Sequence, residues 1–335
     1  QYILLHKADV SLVVYDVGDE AHGVFLNADR PRPLGSSLNL QLLAAYADRV
    51  ERGALQPAER VPLAEWERLF LPRTDGGAHE FALRTLQVQG ERVPLADIVQ
   101  AMMRYSDNAA ADYLMWRLGR EQLAGLPAEL GMPLEQAPMP FAGQFLSWQN
   151  TQLSDAPSKL VKRYQDMGAK SYADQVWSLF TQLHEGAGRS QAEKQRLEED
   201  GMTLRLRDQA ELAGVLGVRG RAGAYADLMA RIDHGDLPGA GVARDALSWP
   251  LQNQEMSAQF EQIGTKGGSL PGLLTPVYFG RAKGHERTRV LALCFERLPI
   301  AVWLQLMQTF VHQKLELKLL SDDAFLARMR ELVAQ

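Results

Sequence analysis

A chain of 335 residues with 46% hydrophobic side chains is long enough for one large or two ordinary domains and can bury a sizeable core unaided. Its formal net charge of −5, from 36 basic and 41 acidic residues, argues against nucleic acid or an anionic membrane surface as a partner. The single cysteine, Cys294, excludes an internal disulfide and a thiolate metal cluster, and the apolar run around it, Val290 to Phe295, predicts a small buried hydrophobe.

The first thirty residues read as strands. Val10 to Val17 is β-branched and partly alternating, Gly18-Asp19-Glu20 is a turn, and Gly23 to Asn27 returns, which predicts an antiparallel hairpin. Pro33 and Gly35 then break regular structure, and Leu38, Leu42, Ala45 and Tyr46 recur at helical spacing, so Ser36 falls at or near a helix N-terminus. Unpaired N–H groups at such a position can hold a developing oxyanion beside a serine oxygen. Serine there is equally well read as an N-cap.

From Gly35 to about Asp236 the texture is helical. Asp97 to Arg104 leads to Ser106-Asp107-Asn108, a polar triplet that also makes a good capping sequence, and Ala109 to Leu118 follows. Lys159 to Glu199 is strongly polar, with helical spacing at Leu160, Tyr164, Val176, Leu179, Phe180 and Leu183. It reads as an insertion or lid within residues 151–200, with a solvated charged face as the plain alternative. Gln209 to His234 is helical in spacing. Strands return at Phe260 to Thr265, Leu274 to Arg281 and Arg289 to Phe295, and two helices, about Ile300 to Gln313 and Asp322 to Val333, close the chain. The apolar stretch from Leu298 to Val311 contains Pro299, Gln305 and Gln308 and makes a poor membrane span. No signal peptide is visible, which leaves the compartment open.

Strands at both ends around a helical middle predict an α/β fold in which an antiparallel sheet, flanked by helices, is assembled from both termini. Residues 1–30 and 240–335 are expected to form an α/β sandwich domain, and residues 31–239 an all-helical one.

Three stretches carry chemistry in this order: Ser36-Ser37-Leu38-Asn39, Ser106-Asp107-Asn108 and Lys266-Gly267-Gly268-Ser269. They resemble the S-x-x-K, S-D-N and K-T-G signatures of the β-lactamase-like, penicillin-recognising serine hydrolases. Asn39 stands where that family has Lys, and Gly267 where it has Thr or Ser. Pro33 and Leu42-Leu43 around the first serine, and Ala109-Ala110-Ala111 after the triplet, extend the match, which runs from about Val10 to about Phe295. The resemblance implies a β-lactamase/transpeptidase-like fold with the site between the sheet layer and the helical region. It also implies a small-molecule or peptide-like substrate and a periplasmic or secreted location.

By the same resemblance Ser36 is the nucleophile, the backbone N–H groups of Ser36 and Ser269 are oxyanion donors, and Asn108, Gly267, Gly268 and Ser269 form the substrate-binding edge. Asn39 has no usable basicity near neutral pH. The sequence has no lysine between Lys7 and Lys159, so Lys266, acting directly or through Ser106, is the remaining proton acceptor. The Met139 to Asn150 region has Phe141, Gln144, Trp148 and Asn150 but no acid, and Glu129 and Glu135 do not carry the pattern of a deacylation base. His79 is a minor alternative base. The seven histidines lack metal-ligand spacing, and Gly264 to Gly272 lacks both phosphate-binding fingerprints, so neither metal nor cofactor is expected. Three readings stay open: a serine hydrolase or acyltransferase with altered or weak catalysis, a catalytically impaired protein that keeps the cleft to bind a ligand, and an α/β interaction protein.

Overall fold

Pairing between the two ends of the chain builds the sheet on which the site is mounted. The computed structural model describes residues 2–149, 156–186, 188–202 and 204–334; Asn150, residues 151–155 and residue 187 of the expected lid lie outside the described residues. The N-terminal hairpin is β1 (Val10–Asp16) and β2 (Asp19–Leu26). Four short strands follow in the helical part, β3 (Arg32–Pro33), β4 (Arg60–Pro62), β5 (Arg92–Pro94) and β6 (Arg219–Gly220), with β3 on β6 and β4 on β5. The last five are β7 (Phe260–Lys266), β8 (Ser269–Leu270), β9 (Leu273–Leu274), β10 (Val277–Ala282) and β11 (Arg289–Phe295). The main sheet runs β2-β1-β11-β10-β7, all antiparallel, and the β8–β9 hairpin joins it through β11. Register in the central pair runs from Val10 opposite Phe295 to Asp16 opposite Arg289.

Both faces of this sheet are covered, so its strands read as continuous apolar runs whose alternate residues enter different cores. Val13, Tyr15, Val277, Phe279, Val290, Ala292 and Cys294 join the large core shared with the helical part. Leu12, Val14, Tyr278, Leu291, Leu293 and Phe295 join a second core under the C-terminal helices. Lys266 is opposite Val277 on β10 and therefore belongs to the face turned toward the helical part. Buried Arg32 locks the approach to the first serine: its guanidinium donates to Ser11 Oγ at 2.6 Å, to Glu296 Oε1 at 2.6 Å and to the carbonyls of Ala8 and Val10.

The helical middle contains, among others, the Asn39–Glu51, Asn108–Leu118 and Phe141–Gln149 helices and, in the expected lid, Pro157–Met167, Ala169–His184 and Gly188–Asp200. The predicted Gln209 to His234 run is two helices, Leu206–Leu216 and Ala222–His234, because β6 interrupts it. The predicted strand from Leu274 divides at Thr275-Pro276, where proline supplies no ladder donor. The chain ends in three helices rather than two: Phe310 takes a left-handed backbone (φ 50°) that stops Ile300–Thr309 and opens Val311–Ser321 before Asp323–Ala334. Among the described residues no helix is long and apolar enough to cross a membrane.

Candidate active site

The first motif sits on a 3-10 turn, Gly35–Leu38, that feeds directly into the Asn39–Glu51 helix. Gly35 has φ +53°, a backbone that a side chain disfavours, and it turns the chain from β3 into the helix. Neither the turn nor the helix has a side-chain cap, so Ser36 is not the N-cap that its type and position also allowed. Ser36 is 8% exposed.

The neighbouring hydroxyl, Ser37, ties this turn to the third motif. Ser37 Oγ donates to the Thr275 carbonyl and lies 3.0 Å from Thr275 Oγ1, which donates to Leu34 O at 2.5 Å. Thr275 N–H in turn donates to Gly268 O at 2.8 Å. A Cβ on Gly268 would stand 2.4 Å from both Leu34 O and Thr275 Oγ1, so only glycine permits this approach. A Cβ on Gly35 would stand 3.4 Å from the Ser269 backbone nitrogen, which places that amide against the serine turn. Thr275 had no signature in the sequence; its only signal was its place just beyond the Gly-rich run.

The second and third motifs meet through a direct bond. Ser106, with φ 62°, ends the helical turn Ala101–Tyr105 in a left-handed conformation uncommon for serine. Lys266 Nζ donates to Ser106 Oγ at 2.5 Å and to its neighbour's carbonyl, Gly267 O, at 2.5 Å. Lys266 is 1% exposed, and burial pushes its amine from the ordinary 10.5 down to about 7. No carboxylate contributes to that shift.

The triplet divides its labour. Asp107, not Ser106, caps the Asn108–Leu118 helix, accepting from the N–H groups of Ala109 and Ala110. Its other oxygen takes Trp66 Nε1 at 3.1 Å and His79 Nδ1 at 2.9 Å. His79 is buried, stacked on Phe70 and edge-on to Trp66. Burial alone would depress the imidazole, but the Asp107 bond and charge, aided by Asp75 and Glu80, outweigh it and raise its pKa. His79 thus buttresses Asp107 from behind the triplet. Asn108 is half-buried at the head of the helix.

One helical turn beyond, buried Asp112 accepts from Phe141 N and Ala142 N, each at 2.7 Å, and pins the start of the Phe141–Gln149 helix. That helix presents Phe141, Gln144, Phe145 and Trp148 to Gly35 and Leu38 across a seam holding only about 10 Å³. Those facing residues include no acid. Glu135 is used elsewhere: it accepts from Arg221 Nε at 2.6 Å. Asn39 is fully buried, and neither of its amide atoms has a hydrogen-bond partner among the described protein atoms. Gly267 is exposed with open space where a Cβ would go, whereas Ser269 Oγ is taken up by Trp303 Nε1 at 2.9 Å. No cluster of His, Cys, Asp and Glu among the described residues is placed to hold a metal ion.

Comparison with known proteins agrees with this fold. The family model described as Beta-lactamase enzyme family matches residues 2–206. Among solved structures, a beta-lactamase from Sphaerobacter thermophilus superposes with a TM-score of 0.54 at 17% identity, covering 87% of this chain and 82% of that one. PBP-A superposes with 0.53 at 14% identity, covering 92% and 89%. A beta lactamase from Xanthomonas campestris gives 0.52 at 14% identity, covering 97% and 90%. At these identities the superpositions establish the fold. No curated protein matches.

Proposed function

Since the chain belongs to the beta-lactamase enzyme family, we propose that it is a serine hydrolase or acyltransferase that forms an acyl-enzyme on Ser36 with an amide, ester or lactam. The observation that carries this reading is Lys266, a buried amine near neutrality bonded to the Ser106 hydroxyl. As Ser36 attacks the carbonyl, its proton passes to Ser106 Oγ while Ser106 gives its own to neutral Lys266. The tetrahedral oxyanion rests on the N–H groups of Ser36 and Ser269, and the proton returns along the same path to the leaving atom. Asn108, Gly268 and the edge of β8 flank the substrate, which is a small molecule or a peptide-like chain in the periplasm or outside the cell. Gly267 leaves out the hydroxyl that the family's signature places there.

Turnover is weak in this reading. Asn39 cannot take a proton, and the Phe141–Gln149 wall supplies no carboxylate to activate water on the acyl-enzyme. A second reading, a binding protein that keeps the cleft, is favoured by that wall, which offers no base for deacylation. Intact mass after incubation with a fluorescent penicillin or a fluorophosphonate separates the two. An adduct that Ser36→Ala abolishes supports the acyl-enzyme; reversible thermal stabilisation without an adduct supports the binder.

A further inference from the structure

A cavity of about 560 Å³ opens between the helices Arg120–Glu129, Pro157–Met167, Ala169–His184 and Leu206–Leu216. None of Ser36, Ser106 and Lys266 lines it. Its volume lies within the roughly 300–1,000 Å³ of small-molecule sites. The floor is made by the rings of Tyr164 and Tyr172, 4.9 Å apart. Both phenols turn their hydroxyls away from it: Tyr164 donates to Ser147 O at 2.8 Å, and Tyr172 accepts from Trp148 Nε1 at 3.1 Å. The floor therefore offers carbon held in place by buried hydrogen bonds, and Met139, Trp177 and Leu216 continue it up the walls.

Among the described residues the charge on the lining of this cavity has one sign: Arg120, Lys170 and Arg219 contribute, and no described Asp or Glu does. Arg120 is paired with half-exposed Asp174, which lines a neighbouring cavity, and Arg219 with Glu296 at 3.3 Å, which leaves exposed Lys170 to meet an anion. A second cavity of about 500 Å³ shares Arg120 and Trp177 with the first, so the two form one trough along the Ala169–His184 helix. A trough of that shape suits an extended chain better than a compact ring system.

We infer that this trough binds a long-chain hydrophobic carboxylate of the fatty-acid type, its hydrocarbon on the Tyr164–Tyr172 floor and its carboxylate at Lys170. The site is separate from the Ser36 chemistry, and Ser36→Ala leaves it unchanged.

The test is a titration of the full chain with a dansylated fatty acid, read by energy transfer from Trp177. Saturable binding at one site, displaced by oleate about tenfold better than by oleyl alcohol, is expected. Lys170→Glu should bring oleate down to the level of the alcohol. Ala173→Trp and Val215→Trp, which fill the trough from opposite sides, should each abolish saturable binding while thermal unfolding stays cooperative. The proposal is overturned by an absence of saturable binding or by binding that survives in both folded tryptophan variants. Equal affinity for oleate and oleyl alcohol that ignores Lys170→Glu overturns it as well.

Discussion

Asn39 and Lys266 are two buried polar side chains from different motifs, and the fold treats them in opposite ways. Asn39 has no hydrogen-bond partner among the described protein atoms, a condition that costs about 1–3 kcal/mol for a buried amide. Lys266 makes two short hydrogen bonds and has its basicity lowered into the working range by burial. The amide on the helix that follows the serine is left without a partner, whereas the amine on the edge strand β7 is bonded to the serine of the second motif. Ser37 and Thr275 clamp the serine turn to the strand through their hydroxyls, at an approach so close that position 268 has no room for a side chain.

The sharpest way to break this contrast is Lys266→Met. It removes the one basic group bonded to Ser106 among the described residues, and acylation of Ser36 by a fluorescent penicillin should fall at least ~100-fold, as expected for loss of a general base. Wild-type acylation should rise with pH through about 7, as Lys266 loses its proton, and the variant should lack that rise. The stability linkage runs the same way. Folding depresses this amine below its unfolded value, so between about 7 and 10.5 the unfolded chain holds the extra proton. Stability from this group therefore grows with pH across that window, and urea unfolding at several pH values should show the slope vanish in Lys266→Met.

Gly268→Ala attacks the clamp instead of the chemistry. With a Cβ forced to 2.4 Å from Leu34 O and Thr275 Oγ1, overpacking should cost about 1–3 kcal/mol in denaturant unfolding. A variant as stable as wild type would show that the turn and strand are not tied as described. Asn39→Lys sharpens the comparison from the other side, since a lysine one turn after the serine restores a second amine. Acylation should increase about tenfold, equivalent to ~1.4 kcal/mol of barrier. No gain would count against a preserved serine site. The smallest effect is expected from Gly267→Thr, because its Cβ enters open space. Stability should stay within about 0.5 kcal/mol, while binding of carboxylate-bearing β-lactams, followed by thermal shift, should improve.

How much of this was legible in the amino acids varies by element. β1 and β11 were readable nearly to the residue, because β-branched apolar runs bounded by turns have few alternatives, whereas β2 begins at Asp19, four residues before the expected Gly23, and takes in Asp19 and Glu20 that read as turn. The break at Phe310 was not, since nothing local marks a non-glycine residue for left-handed backbone. Within the site, Ser106 and Lys266 were visible as motif residues. That Asp107 rather than Ser106 would act as the cap was not visible, because both are good caps and tertiary contacts with Trp66 and His79 decide which one serves. The polar stretch after residue 150 announced helices but not the trough, which depends on how two of them, carrying Tyr164, Tyr172 and Trp177, pack with the Arg120–Glu129 and Leu206–Leu216 helices.

By itself the sequence determined the order of its elements, the absence of a lysine beside Ser36, and the three segments able to supply hydroxyls and an amine. These are matters of covalent order and local periodicity. Only tertiary structure decided that Lys266 is buried against Ser106, that Asn39 lacks a partner among the described residues, and that Gly268 must remain without a side chain. Burial, desolvation and close backbone approach are relations between segments far apart in the chain, and they exist only once the sheet and the helical part have closed on each other.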